Sequence, residues 1–303
     1  MKILRRRRLK ELVTRKTRLL RHISQILSFL LLNSLLFGII KTGFVLPVEQ
    51  PDGAPYGTIM GSFYAFQLVT GSGAFPLLAL ATFALVGALF GRGTCAWMCP
   101  FGAFQDLAGY APVRHRRPNK KTNKGLQDFA KTFVVITAII VAAIGIRTYQ
   151  GQGEEIREAF GAFADEPFSP LSPVTTLFAA LPMLLFFWDP FSLKEVREVP
   201  ILFWVRLLIF IFVIILVLFV KRGWCRWFCP TGLLLGYCAK FSVVGISRDP
   251  TLCDRCGDCE LVCPMGVPLL DYPYERVRDE QCILCLECRE ACHAGAIKLV
   301  LGK

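Results

Sequence analysis

Eight cysteines fall in two runs of one spacing. Cys253, Cys256, Cys259 and Cys263 read C-x2-C-x2-C-x3-C, followed by Pro264, and Cys282, Cys285, Cys288 and Cys292 repeat the pattern. This spacing suits a pair of cubane iron–sulfur clusters: three thiolates on a tight loop cap three irons of one cube, and the fourth reaches the other cube. Cys253, Cys256, Cys259 and Cys292 are thus expected to hold one [4Fe–4S] cluster, and Cys282, Cys285, Cys288 and Cys263 the second. Zinc also takes four thiolates, but its sites usually pair two short Cys-x2-Cys knuckles. Disulfides fit poorly, because cysteines this crowded cannot pair without strain. The second run ends in Cys292-His293 where the first ends in Cys263-Pro264, so His293 neighbours a ligand and is placed to tune a cluster.

A second set of thiols is duplicated. Arg92-Gly93-Thr94-Cys95-Ala96-Trp97-Met98-Cys99-Pro100-Phe101-Gly102 recurs as Arg222-Gly223-Trp224-Cys225-Arg226-Trp227-Phe228-Cys229-Pro230-Thr231-Gly232, an offset of 130. The shared pattern is Arg-Gly-x-Cys-x-Trp-x-Cys-Pro-x-Gly, an internal repeat. Cysteines four residues apart share a helix face. If the two copies meet about a pseudo-twofold, Cys95, Cys99, Cys225 and Cys229 make a four-thiolate site. A third iron–sulfur cluster is the preferred occupant and Cu(I) the competitor; a purely structural exit turn is the plain alternative. Cys238 lies outside both patterns and is read as an ordinary buried thiol.

The elements that position these residues look lipid-embedded. The hydrophobic fraction is 54%, mean hydropathy is +0.49 and there are 25 phenylalanines, more apolar matter than a soluble core uses. A net charge of +12 on a soluble chain would suggest nucleic acid, yet here the basic residues flank apolar runs as topology determinants, and no nucleic-acid partner is expected. Met1 to His22 holds ten Lys and Arg, a cytoplasmic anchor. Apolar spans follow at about 23–46, 75–90, 131–149 and 200–220. Residues 47–74 read as an outer loop lying partly at the membrane surface. The loop 150–198, with eight acidic against three basic residues, reads as outside. Val174 to Trp188, about fifteen residues against the ~20 a crossing helix needs, reads as a re-entrant or surface helix. The expected fold is an α-helical polytopic membrane protein of four transmembrane helices in two tandem pairs, carrying a C-terminal α+β ferredoxin-like domain with two [4Fe–4S] clusters. Its units are a basic cytoplasmic N-terminus (1–22), a membrane domain (23–245) and the ferredoxin-like domain (246–303). Location is the bacterial inner membrane, with both termini and the ferredoxin domain cytoplasmic.

Other cofactors lack motifs. No Cys-x-x-Cys-His marks a c-type haem, and His22, His115 and His293 all lie outside the spans. No glycine-rich dinucleotide loop appears. A lipid-soluble quinol is therefore the expected electron source, held by an apolar slot with polar groups that take protons; Tyr64, Gln67 and Asp189 in the outer segments are the candidates.

Taken together, the chain resembles the NapH/MauN-type membrane quinol dehydrogenase subunits over residues 20–300. Four spans, the Cys95/Cys99 and Cys225/Cys229 motifs and the two-cluster module carry the resemblance. The membrane parts of the regulator NosR and the cytochrome oxidase assembly protein CcoG are similar in these motifs. The resemblance implies quinol oxidation, with electrons passed to iron–sulfur or cytochrome c type subunits of a respiratory reductase. A maturation factor that reduces or handles copper for a partner metalloenzyme is the alternative.

Overall fold

The computed structural model describes residues 2–32, 62–109, 120–165, 168, 172–181, 201–274 and 276–302. In chain order the helices are α1 (Lys2–Leu32), α2 (Ser62–Gly71), α3 (Leu77–Phe90), α4 (Gly93–Trp97), α5 (Pro100–Ala108), α6 (Lys120–Arg147), α7 (Gly153–Phe160), α8 (Ala162–Asp165), α9 (Pro173–Thr175), α10 (Ile201–Phe219), α11 (Gly223–Trp227) and α12 (Pro230–Ala239). Strand β1 (Val244–Arg248), α13 (Asp258–Val262), α14 (Glu287–Ala291) and β2 (Ile297–Leu301) follow.

The basic run and the apolar run after it form one helix, α1, without a break at residue 22, because Leu, Arg and Lys are all strong helix formers. The rest of the expected first span, past Leu32, lies outside the described residues. One part of the expected outer loop is corrected: Ser62–Gly71 is helical. Its Phe63, Tyr64 and Gln67 share one face and are buried. α2 presses on α6 so closely that a Cβ on Gly145 would lie 2.0 Å from the Thr70 carbonyl oxygen. Residues 172–176, at the start of the expected re-entrant segment, are buried inside the protein.

Among the described residues, one helical run, Lys121–Ile156, is long and apolar enough to cross a membrane; Leu77–Phe90 and Phe203–Phe219 are apolar but shorter. The long run is kinked at Gly151, whose φ is 89°. Outer faces of α3, α6 and α10 expose large side chains such as Leu77, Leu85, Ile139 and Leu208.

The sequence repeat is a structural repeat. Each copy is an apolar helix (α3, α10), a five-residue helix (α4, α11), an extended cysteine, and a second helix opened by proline (α5, α12). Cys99 has φ −71° and ψ 118°, and Cys229 has φ −72° and ψ 112°. Proline follows each because a first-turn N–H has no helical partner to lose. The copies interlock. Phe104 on α5 stacks on Phe210 of α10 at 6.1 Å, and α3 meets α12 where a Cβ on Gly87 would fall 2.4 Å from Cβ of Cys238.

The C-terminal module closes on an antiparallel pair, with Val244 opposite Leu301 and Arg248 opposite Ile297. Val243 N–H donates to the Ala88 carbonyl at 2.7 Å, which ties the start of this module to the end of α3.

Candidate electron-transfer site

The two cysteine runs fold alike, residue for residue. Arg255 and Leu284, each just before the second cysteine of its run, have φ of 56° and 50°; Gly257 and Leu286, just after it, have φ of 80° and 61°. Left-handed backbone at Arg and Leu is strained, and the loops keep it at three non-glycine residues, Arg255, Leu284 and Leu286. A five-residue helix follows each loop (α13, α14) and ends at an extended cysteine, Cys263 (φ −65°, ψ 115°) or Cys292 (φ −74°, ψ 104°). Three residues on, Gly266 and Gly295 turn the chain with φ of 68° and 65°.

Electrostatics show which thiols are neighbours. Burial pushes Cys259 up to about 11, with Cys256 and Cys292 adding to the shift. Burial pushes Cys282 up to about 12, and Cys263 adds to it. Cys285 is raised by burial, and Cys288 is raised well above its ordinary value by burial and by Cys285, Cys282 and Cys263. Cys263 thus lies near thiols of the second run and Cys292 near Cys259 of the first, while Cys259 also reaches Cys288. Thiols this buried and this mutually repulsive need a cation to become thiolates, and irons supply one. The residues fit iron–sulfur clusters.

The quartets differ in exposure. Cys256 is exposed, and beside it His293 Nε2 lies 2.9 Å from Asp254 Oδ2 with Nδ1 3.9 Å from Cys256 Sγ. Cys285 and Cys288 are buried, because the second quartet is docked on the repeat. Trp97 Nε1 donates to the Leu284 carbonyl, between Cys282 and Cys285, at 3.0 Å. Arg92 Nη1 donates to Gln281 Oε1 at 3.0 Å and to the Glu280 carbonyl at 3.2 Å.

Cys95, Cys99, Cys225 and Cys229 are all buried, and the copies clamp each other reciprocally. Arg92 Nη2 of the first donates to the Cys225 carbonyl of the second at 2.5 Å; Arg222 Nη1 of the second donates to the Cys95 carbonyl of the first at 3.3 Å. This explains the motif's last glycine. A Cβ on Gly232 would lie 2.6 Å from Arg92 Nη2, and one on Gly102 would lie 2.8 Å from the Cys95 carbonyl oxygen and 3.4 Å from Arg222 Nη2. Gln105 Nε2 donates to Cys225 Sγ at 2.9 Å.

Comparison with known proteins agrees with this geometry. A 4Fe-4S binding domain model matches residues 72–121 and again 202–248, one match per copy, and a 4Fe-4S dicluster domain model matches 245–293. The putative electron transport protein YccM of Escherichia coli is 25% identical over 81% of this chain and 62% of its own length. The methylamine utilization ferredoxin-type protein MauN of Methylobacillus flagellatus is 24% identical over 86% of this chain and 78% of its own. The ferredoxin-type protein NapH of Escherichia coli is 35% identical over 25% of this chain and 28% of its own. These likenesses support the NapH/MauN-type ferredoxin-containing electron-transport family. The chain spans less than two thirds of the length of YccM. No solved structure matches it.

The residues that lock the module to the repeat escaped sequence reasoning. Asp106 accepts from Arg222 at 2.7 and 2.6 Å and from Arg21 at 2.8 Å; Arg21 also donates to Glu287 at 2.8 Å, and Arg18 to Glu287 at 3.2 Å. Burial opposes the charge on Asp106, but the Arg222 charge and hydrogen bonds, with Arg21, more than offset it and hold the carboxyl below its usual range. Glu287 opens α14, beside Cys288, so the lock reaches the second quartet. Basic residues counted as topology signals, Arg18 and Arg21, thus have carboxylate partners.

The proposed quinol residues divide. Tyr64 and Gln67 are buried on α2: the Tyr64 hydroxyl donates to Ser172 Oγ at 2.8 Å, and Gln67 Oε1 accepts from Phe168 N–H at 2.9 Å. The Phe168 ring lies 6.3 Å from that of Trp224, which precedes Cys225. Asp189 lies outside the described residues.

Proposed function

We propose that this chain is a membrane-bound electron-transfer protein that oxidises quinol and passes the electrons to a partner redox subunit. One observation carries the proposal: among the described residues a five-residue helix followed, directly or one residue later, by an extended cysteine, four residues after another cysteine, occurs four times, at Cys99, Cys229, Cys263 and Cys292. The last two belong to cluster-type quartets, and the first two belong to copies joined by the reciprocal arginine clamp at Cys95 and Cys225. We assign Cys253, Cys256, Cys259 and Cys292 to one [4Fe–4S] cluster, Cys282, Cys285, Cys288 and Cys263 to a second, and Cys95, Cys99, Cys225 and Cys229 to a third. Bound there, such clusters store and release single electrons.

The chain's own residues do the rest. Trp97 and Arg92 hold the 280–285 loop on the repeat. Tyr64 and Gln67 would exchange their bonds to Ser172 and the Phe168 N–H for bonds to quinol oxygens, with Asp189 taking a proton. The Phe168 to Trp224 contact leads from there toward Cys225. Exposed apolar faces on α3, α6 and α10 favour lipid over water, and the basic run from Arg114 to Lys124 with Lys221 favours four spans with the ferredoxin module on the cytoplasmic side. Partners are a redox subunit, quinol and lipid.

The test is iron and sulfide content of the anaerobically purified protein, with electron paramagnetic resonance before and after a reduced quinone analogue. About twelve irons, reducible by quinol, are expected. About eight irons with no response to quinol would leave four thiols for Cu(I) and favour copper handling. Cys95→Ser is expected to abolish electron transfer with both C-terminal clusters assembled; full turnover would make the repeat structural. Asp189→Asn with undiminished quinol oxidation would remove that residue.

A further inference from the structure

The two clamp arginines are related by the repeat, yet their charges are handled differently. Arg222 is neutralised, with Nε and Nη2 on Asp106 at 2.7 and 2.6 Å. Arg92 is 1% exposed, and its acceptors are the Glu280 carbonyl, the Gln281 amide oxygen and the Cys225 carbonyl, none of them charged. Its Nε has no partner. The position matching Asp106 in the second copy is Gly236, where a Cβ would fall 2.5 Å from the Glu280 carbonyl oxygen and 3.3 Å from Arg92 Cδ. No carboxylate fits there, so the asymmetry is built into both copies.

A buried cation without a carboxylate is costly unless another negative charge faces it. Arg92 lies between two sulfur sites: one Nη is bonded at Cys225, the other at the residues that run directly into Cys282. Thiolate-held clusters are anionic and gain one more negative charge with each electron, so a fixed cation beside one stabilises its reduced form. The first quartet has both signs beside it: the Asp254 carboxylate accepts from Cys256 N–H at 3.2 Å, and buried Arg248 donates from Nη1 to Cys253 Sγ at 3.6 Å.

We infer that Arg92 is an unneutralised charge that raises the reduction potential of the repeat-facing cluster at Cys263, Cys282, Cys285 and Cys288. Arg92 acts as a positioning residue for charge. The inference rests on the cluster assignment above.

The experiment is a dithionite and ferricyanide titration, with mediators, of the anaerobically purified full chain, read by electron paramagnetic resonance beside an iron count. Arg92→Gln should lower the potential of one C-terminal cluster by at least a factor of ten in the reduction equilibrium, about 59 mV for one electron, and leave the other in place; Arg92→Lys should largely restore it. Gln281→Glu keeps the volume and the hydrogen bond but neutralises Arg92, and should lower the same potential. If Arg92→Gln fails to load iron, Gln281→Glu decides alone. Unchanged potentials in Gln281→Glu, with full iron, would make Arg92 a mere clamp and overturn the inference. A wild type with no reducible iron would overturn the cluster assignment, and this with it.

Discussion

The two cysteine quartets share one backbone and live in opposite surroundings. The first shows Cys256 to solvent, beside the His293 and Asp254 pair. The second is pressed against the repeat, its loop held by Trp97 and its helix α14 by Arg21 and Arg18 through Glu287. One local fold thus has an end fixed by the scaffold and an end open to solvent. The surroundings set the difference, since the loops match in every left-handed position.

Removing one ligand from each quartet is the strongest way to break the comparison. Cys288→Ser should lose its cluster and loosen the docked module, seen as faster proteolysis between Lys240 and Val244. Cys256→Ser should lose roughly four irons and leave proteolysis unchanged. Equal protease sensitivity would show that the quartets are not differently anchored.

Next in size is the lock. Asp106→Asn removes the carboxylate from Arg222 and one of two from Arg21, and breaking a buried pair this way should cost about 3–5 kcal/mol in unfolding. The sign with pH follows from the depressed folded value of Asp106. Its stabilisation is complete above the unfolded carboxylate value, about 3.9, and is lost only as pH falls through the lower folded value. The gap between wild type and variant should therefore stay constant from pH 8 to pH 5, and thermal unfolding in detergent over that range checks it.

The smallest effect sharpens the contrast. Trp97→Phe keeps the ring but strands the Leu284 carbonyl, for about 1–3 kcal/mol. Its spectroscopic trace should appear in the second cluster's signal and be absent from the first.

Much of this site was legible in the sequence. The likeness of the two cysteine loops follows from their common spacing, and a helix of one turn and a half ends each at its fourth cysteine. The repeat was legible because seven shared positions in each copy each have a local duty: the cysteines, the proline after each extended cysteine, the glycine under the other copy's arginine. The lock was not. Arg21, Asp106 and Glu287 are single charges far apart in the chain, and nothing in their local pattern separates a buried ion pair from a topology signal. Helix α2 was hidden for another reason. Its ten residues are too few for periodicity to outweigh the Pro and Gly around them, and packing on α6 supplies what propensity does not.

The strand pair carries a consequence for biosynthesis. All eight cluster cysteines lie between β1 and β2, whose pairing joins Arg248 to Ile297. A ribosome therefore delivers every one of those thiols before it delivers the strand that shuts the module. Chain closure must wait for a contact some fifty residues apart in sequence, a slow event on the scale of local folding. The interval leaves the thiols accessible to the machinery that hands over iron and sulfide, and pairing of β2 then seals the cargo in place.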